Sequence, residues 1–192
     1  MRRLMLLRHA KTKHDAPSGQ DQDRRLDDRG RRDAAAIGSW IGRHPPYPDA
    51  VLVSTAVRAL QTWEIAGQAM KDAIREQATA SRVKWQVEWQ VEFLADIYGA
   101  EPALLLQIIR LAEVTNPGHL LVVGHNPGMH ELALMLAGRG DAAAKKALED
   151  NLPTAGLAIL DFAIDDWSEV TFRSGKLVHF TSPRLLKQAS DE

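Results

Sequence analysis

The chain contains no cysteine. Disulfides, thiolate metal sites and cysteine nucleophiles are therefore excluded, and the cytoplasm is the expected compartment. An excess of one charge is also missing: 24 Lys and Arg face 25 Asp and Glu, a formal net charge of -1. No global field recruits nucleic acid or an acidic membrane, so neither is expected as a partner. Long apolar runs are absent too. The run at residues 4–7 follows two arginines but gives way at once to Arg8, His9 and Lys11. It is too short for a secretory h-region, and no stretch approaches the roughly 20 apolar residues of a membrane span. No repeat of fold-defining period occurs. The echo Trp85-Gln86-Val87-Glu88 and Trp89-Gln90-Val91-Glu92 reads as the alternation of a half-exposed strand.

What remains is an ordinary globular composition, 45% hydrophobic and 26% charged over 192 residues. That is enough to bury a sizeable core, and one domain spanning residues 1–192 is expected. Short apolar runs recur at residues 4–7, 50–53, 120–123 and 157–160. Uninterrupted apolar strands are what a sheet covered on both faces requires. Helical segments lie between them at 29–43, 57–80, 102–113, where Pro102 suits a first turn, and 129–137. The alternation predicts an α/β fold, a three-layer sandwich with a mostly parallel central sheet flanked by helices. Residues 15–28 are polar, carry Pro and Gly, and read as a surface loop beside the site. Residues 187–192 read as a short loose tail.

Three segments run from an apolar strand through polar residues into a helix. In an open α/β sheet, ligands bind beyond the carboxyl ends of the strands. The first segment ends in Arg8-His9-Ala10-Lys11-Thr12. An arginine can fork onto phosphate oxygens, and a neutral imidazole beside it can attack phosphorus. The second is Ser54-Thr55-Ala56-Val57-Arg58-Ala59-Leu60-Gln61-Thr62. Ser54 or Thr55 can cap the helix, and Arg58 in its first turn opposes the helix dipole unless an anion binds nearby. The third is Gly124-His125-Asn126-Pro127-Gly128. Gly124 permits close backbone approach, and Asn126 and Pro127 suit the N-cap and first helical position of the next helix. Together the segments bring two arginines and two histidines to one sheet edge, a cage for a small dianion around an imidazole nucleophile. No third histidine or carboxylate joins His9 and His125 at a recognisable metal-ligand spacing.

These motifs resemble the histidine phosphatase superfamily, also called phosphoglycerate mutase-like, and within it the short SixA-type phosphohistidine phosphatases. The resemblance continues through Leu26-Asp27-Asp28-Arg29-Gly30 and Ile97-Tyr98-Gly99-Ala100, and so covers most of the chain. It implies His9 as the phosphorylated histidine, Arg8, Arg58 and His125 as the rest of the phosphate-binding core, and no metal or organic cofactor; Asn126, next to His125, is a further candidate for phosphate binding. It also implies a carboxylate general acid four residues before Gly99, where this chain has Ala95; Asp96 and Glu92 are the nearest candidates. Without that acid an alkoxide leaves poorly, whereas imidazole leaves well from a labile P–N bond. The departure favours a phosphohistidine-containing protein as substrate and disfavours mutase chemistry. Ala10, where much of the superfamily has glycine, is compatible with the SixA-type pattern. A small-metabolite phosphomonoesterase is the alternative, and a phosphate-sensing or protein-binding module without turnover is the third. Trp85, Trp89, Lys145, Lys146, Arg24, Arg25, His14, His44, His119, His130 and His179 are read as surface or structural.

Overall fold

A computed structural model describes residues 1–80, 87–112 and 115–191. Among these residues, seven strands form one sheet: β1 (Arg2–Arg8), β2 (Ala50–Ser54), β3 (Gln90–Leu94), β4 (His119–Gly124), β5 (Ala137–Gly140), β6 (Leu157–Phe162) and β7 (Gly175–Thr181). Their order is β3-β2-β4-β1-β6-β7-β5. β1 pairs parallel with β4, β2 pairs parallel with both β3 and β4, and β5 pairs parallel with β7. Of these strands only β6 runs against its neighbours, β1 and β7. The helices are α1 (Asp28–Arg43), α2 (Val57–Ala80), α3 (Pro102–Leu111), α4 (Gly128–Leu136), α5 (Ala142–Asp150) and α6 (Pro183–Ser190).

The continuous apolar strands are buried on both faces because alternate side chains enter two separate cores. Leu4 and Leu6 of β1 join Leu120 and Val122 of β4, Ala158 and Leu160 of β6, and residues of α3 and α4. Met5 and Leu7 join Val51, Val53, Leu121 and Val123 beneath Ile37, Ile41, Trp63 and Met70 of α1 and α2. Each large side chain taken wholly from water contributes about 1.5–3 kcal/mol before entropy. The antiparallel register of β6 is pinned at its far end. Arg3 and Asp161 face each other across the two strands, and the arginine forks onto the carboxylate at 2.7 and 2.8 Å.

Several expectations shift. Residues 187–190 are not a loose tail: they finish α6, which Ser182 caps and Pro183 opens. The alternation at 85–92 yields a strand only from Gln90; Trp85 and Gln86 lie outside the described residues, as does Glu113 at the predicted end of α3. Helix α4 begins at Gly128 rather than at Pro127, and Asn126 does not cap it.

Candidate active site

His9 follows β1 and is held by backbone on both sides. Its N–H donates to the Gly124 carbonyl at 3.0 Å, and its own carbonyl accepts from the Ala155 N–H at 3.1 Å. Gly124 has little room for more: an added Cβ would lie 3.1 Å from Ile97 and Met129. The His9 ring Nδ1 sits 2.8 Å from the Ala10 carbonyl oxygen. A carbonyl only accepts, so Nδ1 carries the proton and Nε2 keeps its lone pair. Burial lowers the His9 pKa to about 3, and His125, Arg58 and Arg8 add to the effect. Burial rather than the arginine charges is the main reason this imidazole is neutral.

Arg58 comes from the first turn of α2 and is buried. The same helix face holds the neighbouring loops, because positions three and four residues on lie above one another. The Gln61 amide oxygen accepts from the Leu26 N–H at 2.9 Å. Thr62 Oγ1 accepts from the Ala10 N–H at 2.9 Å and donates to the Arg58 carbonyl at 2.7 Å. One helical turn thus supplies a guanidinium and the anchors for the segments around it. The motif at 26–30 has a matching logic. Leu26 enters the core, Asp27 caps α1 by accepting from the Gly30 N–H at 2.7 Å, and Gly30 lies so close that a Cβ would meet the Lys11 carbonyl oxygen at 2.0 Å.

His125 follows β4. Its ring centroid is 5.2 Å from that of His9, and its Nε2 lies 2.7 Å from Ser54 Oγ. Ser54 therefore orients a histidine, in addition to accepting from the Ala56 N–H at 3.3 Å. Burial and the Arg58 charge lower the His125 pKa to about 4. Arg8 donates to the Leu152 carbonyl at 3.1 Å, and the Asn126 amide donates to the same oxygen at 2.8 Å. Asn126 stands one residue before Pro127, the residue at the N-cap position of α4. Arg8 Nε, His125 Nδ1 and Asn126 Oδ1 are buried with no hydrogen-bond partner among the described residues. Buried polar groups are normally paired; the Arg8 Nε–H is left as a free donor, which suits a ligand rich in acceptors, whereas Asn126 Oδ1 is a free acceptor.

Among the described residues, one carboxylate reaches this cage, and it comes from the polar loop. Arg58 donates to the Asp21 carbonyl at 2.7 Å and to its carboxylate at 2.9 Å. Tyr98 donates to the same carboxylate at 2.8 Å, and Arg24 donates to its other oxygen at 3.1 Å. The Tyr98 hydrogen bond leads, with Arg24 and Arg58, in lowering the Asp21 pKa to about 2. Glu92 and Asp96, the carboxylates singled out from sequence, instead line a groove of about 330 Å³ with Ala50, Leu52, Leu94 and Ile108. Arg24 is not a free loop residue: it also bonds the Lys13 carbonyl and Thr12 Oγ1. Among the described residues, no group of three or more His, Asp or Glu side chains is placed to hold a metal ion. No helix among them is long and apolar enough to cross a membrane.

The sheet order, the helices on both faces and the cage at the carboxyl ends of β1, β2 and β4 define a phosphoglycerate mutase-like fold. Residues 4–91 match the sequence profile of the histidine phosphatase superfamily (branch 1), and the chain belongs to that superfamily. An uncharacterized protein of Mycobacterium tuberculosis, Rv1276c, is 35% identical over 182 residues, spanning 93% of this chain and 100% of the relative. Two solved structures named as candidate phosphohistidine phosphatases SixA are similar throughout. That from Nakamurella multipartitia has a TM-score of 0.74 at 25% identity, covering 95% of this chain and 96% of its own. That from Agrobacterium tumefaciens has a TM-score of 0.71 at 29% identity, covering 95% and 98%. Within the superfamily the chain is of the SixA type.

Proposed function

We propose that the protein is a metal-independent phosphohistidine phosphatase that works through phospho-His9. The observation that carries this reading is the His9 ring: neutral, with its proton fixed on Nδ1 by Ala10 and its Nε2 lone pair free, in a cage with two guanidinium groups. In the first step Nε2 attacks phosphorus in line. The bond from phosphorus to the substrate nitrogen breaks, and its electron pair leaves with the substrate imidazole. Arg8, Arg58 and His125 take up charge on the phosphoryl oxygens, the usual main task in phosphoryl transfer. In the second step water attacks the phosphoryl group. The P–Nε2 bond returns its pair to His9, which leaves as a neutral imidazole because Nδ1 already carries a proton. Phosphate departs with the oxygen of water, and the displaced proton passes to phosphate or solvent.

What the cage lacks supports this substrate class. Ala95 offers no acid, and Asp21, ionised at any working pH, has no proton for an alkoxide. Imidazole on a P–N bond needs no such donor, and the SixA-type neighbours carry the same substrate class in their names. The test is a rapid quench without acid after mixing with a phosphohistidine-bearing phosphotransfer protein, followed by mass spectrometry. A phosphate on His9 that forms and then disappears is expected, and none in His9→Ala. Turnover persisting in His9→Ala would end the proposal. A large preference for small phosphate esters over phosphohistidine would move the assignment to a metabolite phosphomonoesterase.

A further inference from the structure

Asp21 is the outermost ionised group bonded to the cage. Its side chain is 50% exposed, whereas that of Arg58 is 8% exposed. It does not wander, because three donors hold its carboxylate: Arg58, Tyr98 and Arg24. The loop that carries it is closed at its base. Thr12 bridges to Leu26, the Lys13 N–H donates to the Arg25 carbonyl at 2.9 Å, and Arg24 Nε donates to the Lys13 carbonyl at 3.0 Å. On its outer side Asp21 also lines a hollow of about 370 Å³ with His14, Asp15, Gln20 and Arg24. One residue therefore borders both the phosphoryl cage and the space beyond it.

We propose that Asp21 is a specificity-determining residue: a fixed negative charge at the mouth that favours phosphoryl groups carried on a protonated imidazole over those carried on oxygen. The inference rests on the phosphohistidine reading and extends it to a residue that reading does not require. With His9 and His125 neutral, the cage offers the charges of Arg8 and Arg58, and Asp21 already shares Arg58. A phosphate ester arrives as an anion with nothing positive behind it and is repelled by the carboxylate. A phosphohistidine protonated on its second ring nitrogen places a positive N–H just beyond phosphorus, where a carboxylate attracts it. That attraction also keeps the proton in place while the P–N bond breaks. The electron pair of the broken bond then stays on an imidazole that leaves neutral, and Asp21 itself neither gains nor loses a proton.

The test uses Asp21→Asn, which preserves size, and Asp21→Glu, which restores charge, in the full chain. Second-order rate constants are measured with a phosphohistidine-bearing protein and with p-nitrophenyl phosphate, whose leaving group needs no proton. In Asp21→Asn the first is expected to fall about tenfold, the size of a one-unit displacement of an ionisation, while the second rises. The alkaline limb of the phosphohistidine profile moves to lower pH, because loss of the carboxylate lets the substrate imidazolium deprotonate sooner. Asp21→Glu recovers part of the preference. If both substrates slow together, Asp21 only positions Arg58; if both speed up together, it only competes with anions. Either result overturns the proposal. Failure of the phosphohistidine reading is separate, since it would show in the unaltered protein, as no phospho-His9 or as a large preference for small phosphate esters over phosphohistidine.

Discussion

Ser54 Oγ lies 2.7 Å from His125 Nε2, so the residue that ends β2 fixes the ring that follows β4. Replacing Ser54 by Ala removes the orienting partner and leaves that nitrogen buried. Activity is expected to fall roughly 10- to 100-fold, mainly in kcat, by analogy with metal-ligating histidines that lose their orienting partner. Steady-state kinetics with p-nitrophenyl phosphate would decide it; an unaltered kcat would show that His125 is held by packing alone.

Thr62 ties Ala10 to Arg58 through one hydroxyl. Thr62→Val keeps the shape but leaves the buried Ala10 N–H without an acceptor, at a cost of about 1–3 kcal/mol. Urea denaturation should show that loss, and binding of inorganic phosphate should weaken as the Arg58 turn and the residue after His9 drift apart. Full stability in Thr62→Val would mean that the amide finds another acceptor.

The two neutral histidines make stability depend on pH. Their pKa values in the folded chain are about 3 and about 4, against 6.5 for a solvated imidazole. Below 6.5 the unfolded chain takes up protons that the folded one refuses, so stability is highest above that pH and declines as pH falls toward the folded values. The urea midpoint is expected to drop between pH 7 and pH values of about 4.5, and His9→Asn should flatten the slope. A midpoint independent of pH across that window would contradict neutral, buried rings.

Gly30 touches the Lys11 carbonyl, and an added methyl would collide with it at 2.0 Å. Gly30→Ala should therefore cost about 1–3 kcal/mol, the usual range for forced overpacking, and should shift the start of α1 against the loop after His9. Thermal unfolding and phosphate binding together test this: loss of both is expected, and a variant as stable as the parent would rule out the contact.

The legible part of the molecule is the part with local signals. The four apolar runs announce β1, β2, β4 and β6, because strands buried on both faces need no polar positions. The polar residues that end or follow β1, β2 and β4 include Arg8, His9, Arg58 and His125, and the structure brings all four together. Strand β5, Ala-Gly-Arg-Gly, carries no β-forming pattern and exists through pairing with β7. Strand β7 mixes buried and exposed positions instead of forming a continuous apolar run. Asp21 is hidden for a different reason: a polar loop gives no sign of which carboxylate folds inward. Its partners, Arg58 and Tyr98, are 37 and 77 residues away in the chain.

The antiparallel direction of β6 has a consequence for how the molecule can be divided. Because β6 starts where β1 ends, the turn before it delivers the Leu152 carbonyl to Arg8 and Asn126 and the Ala155 N–H to His9. A break in the backbone after Asp150 would leave Arg8, His9, Arg58 and His125 on one fragment and their shared floor on the other. The larger fragment would own every side chain of the cage yet depend on its complement to set them in place, so recovered phosphatase activity would report that the two pieces had met.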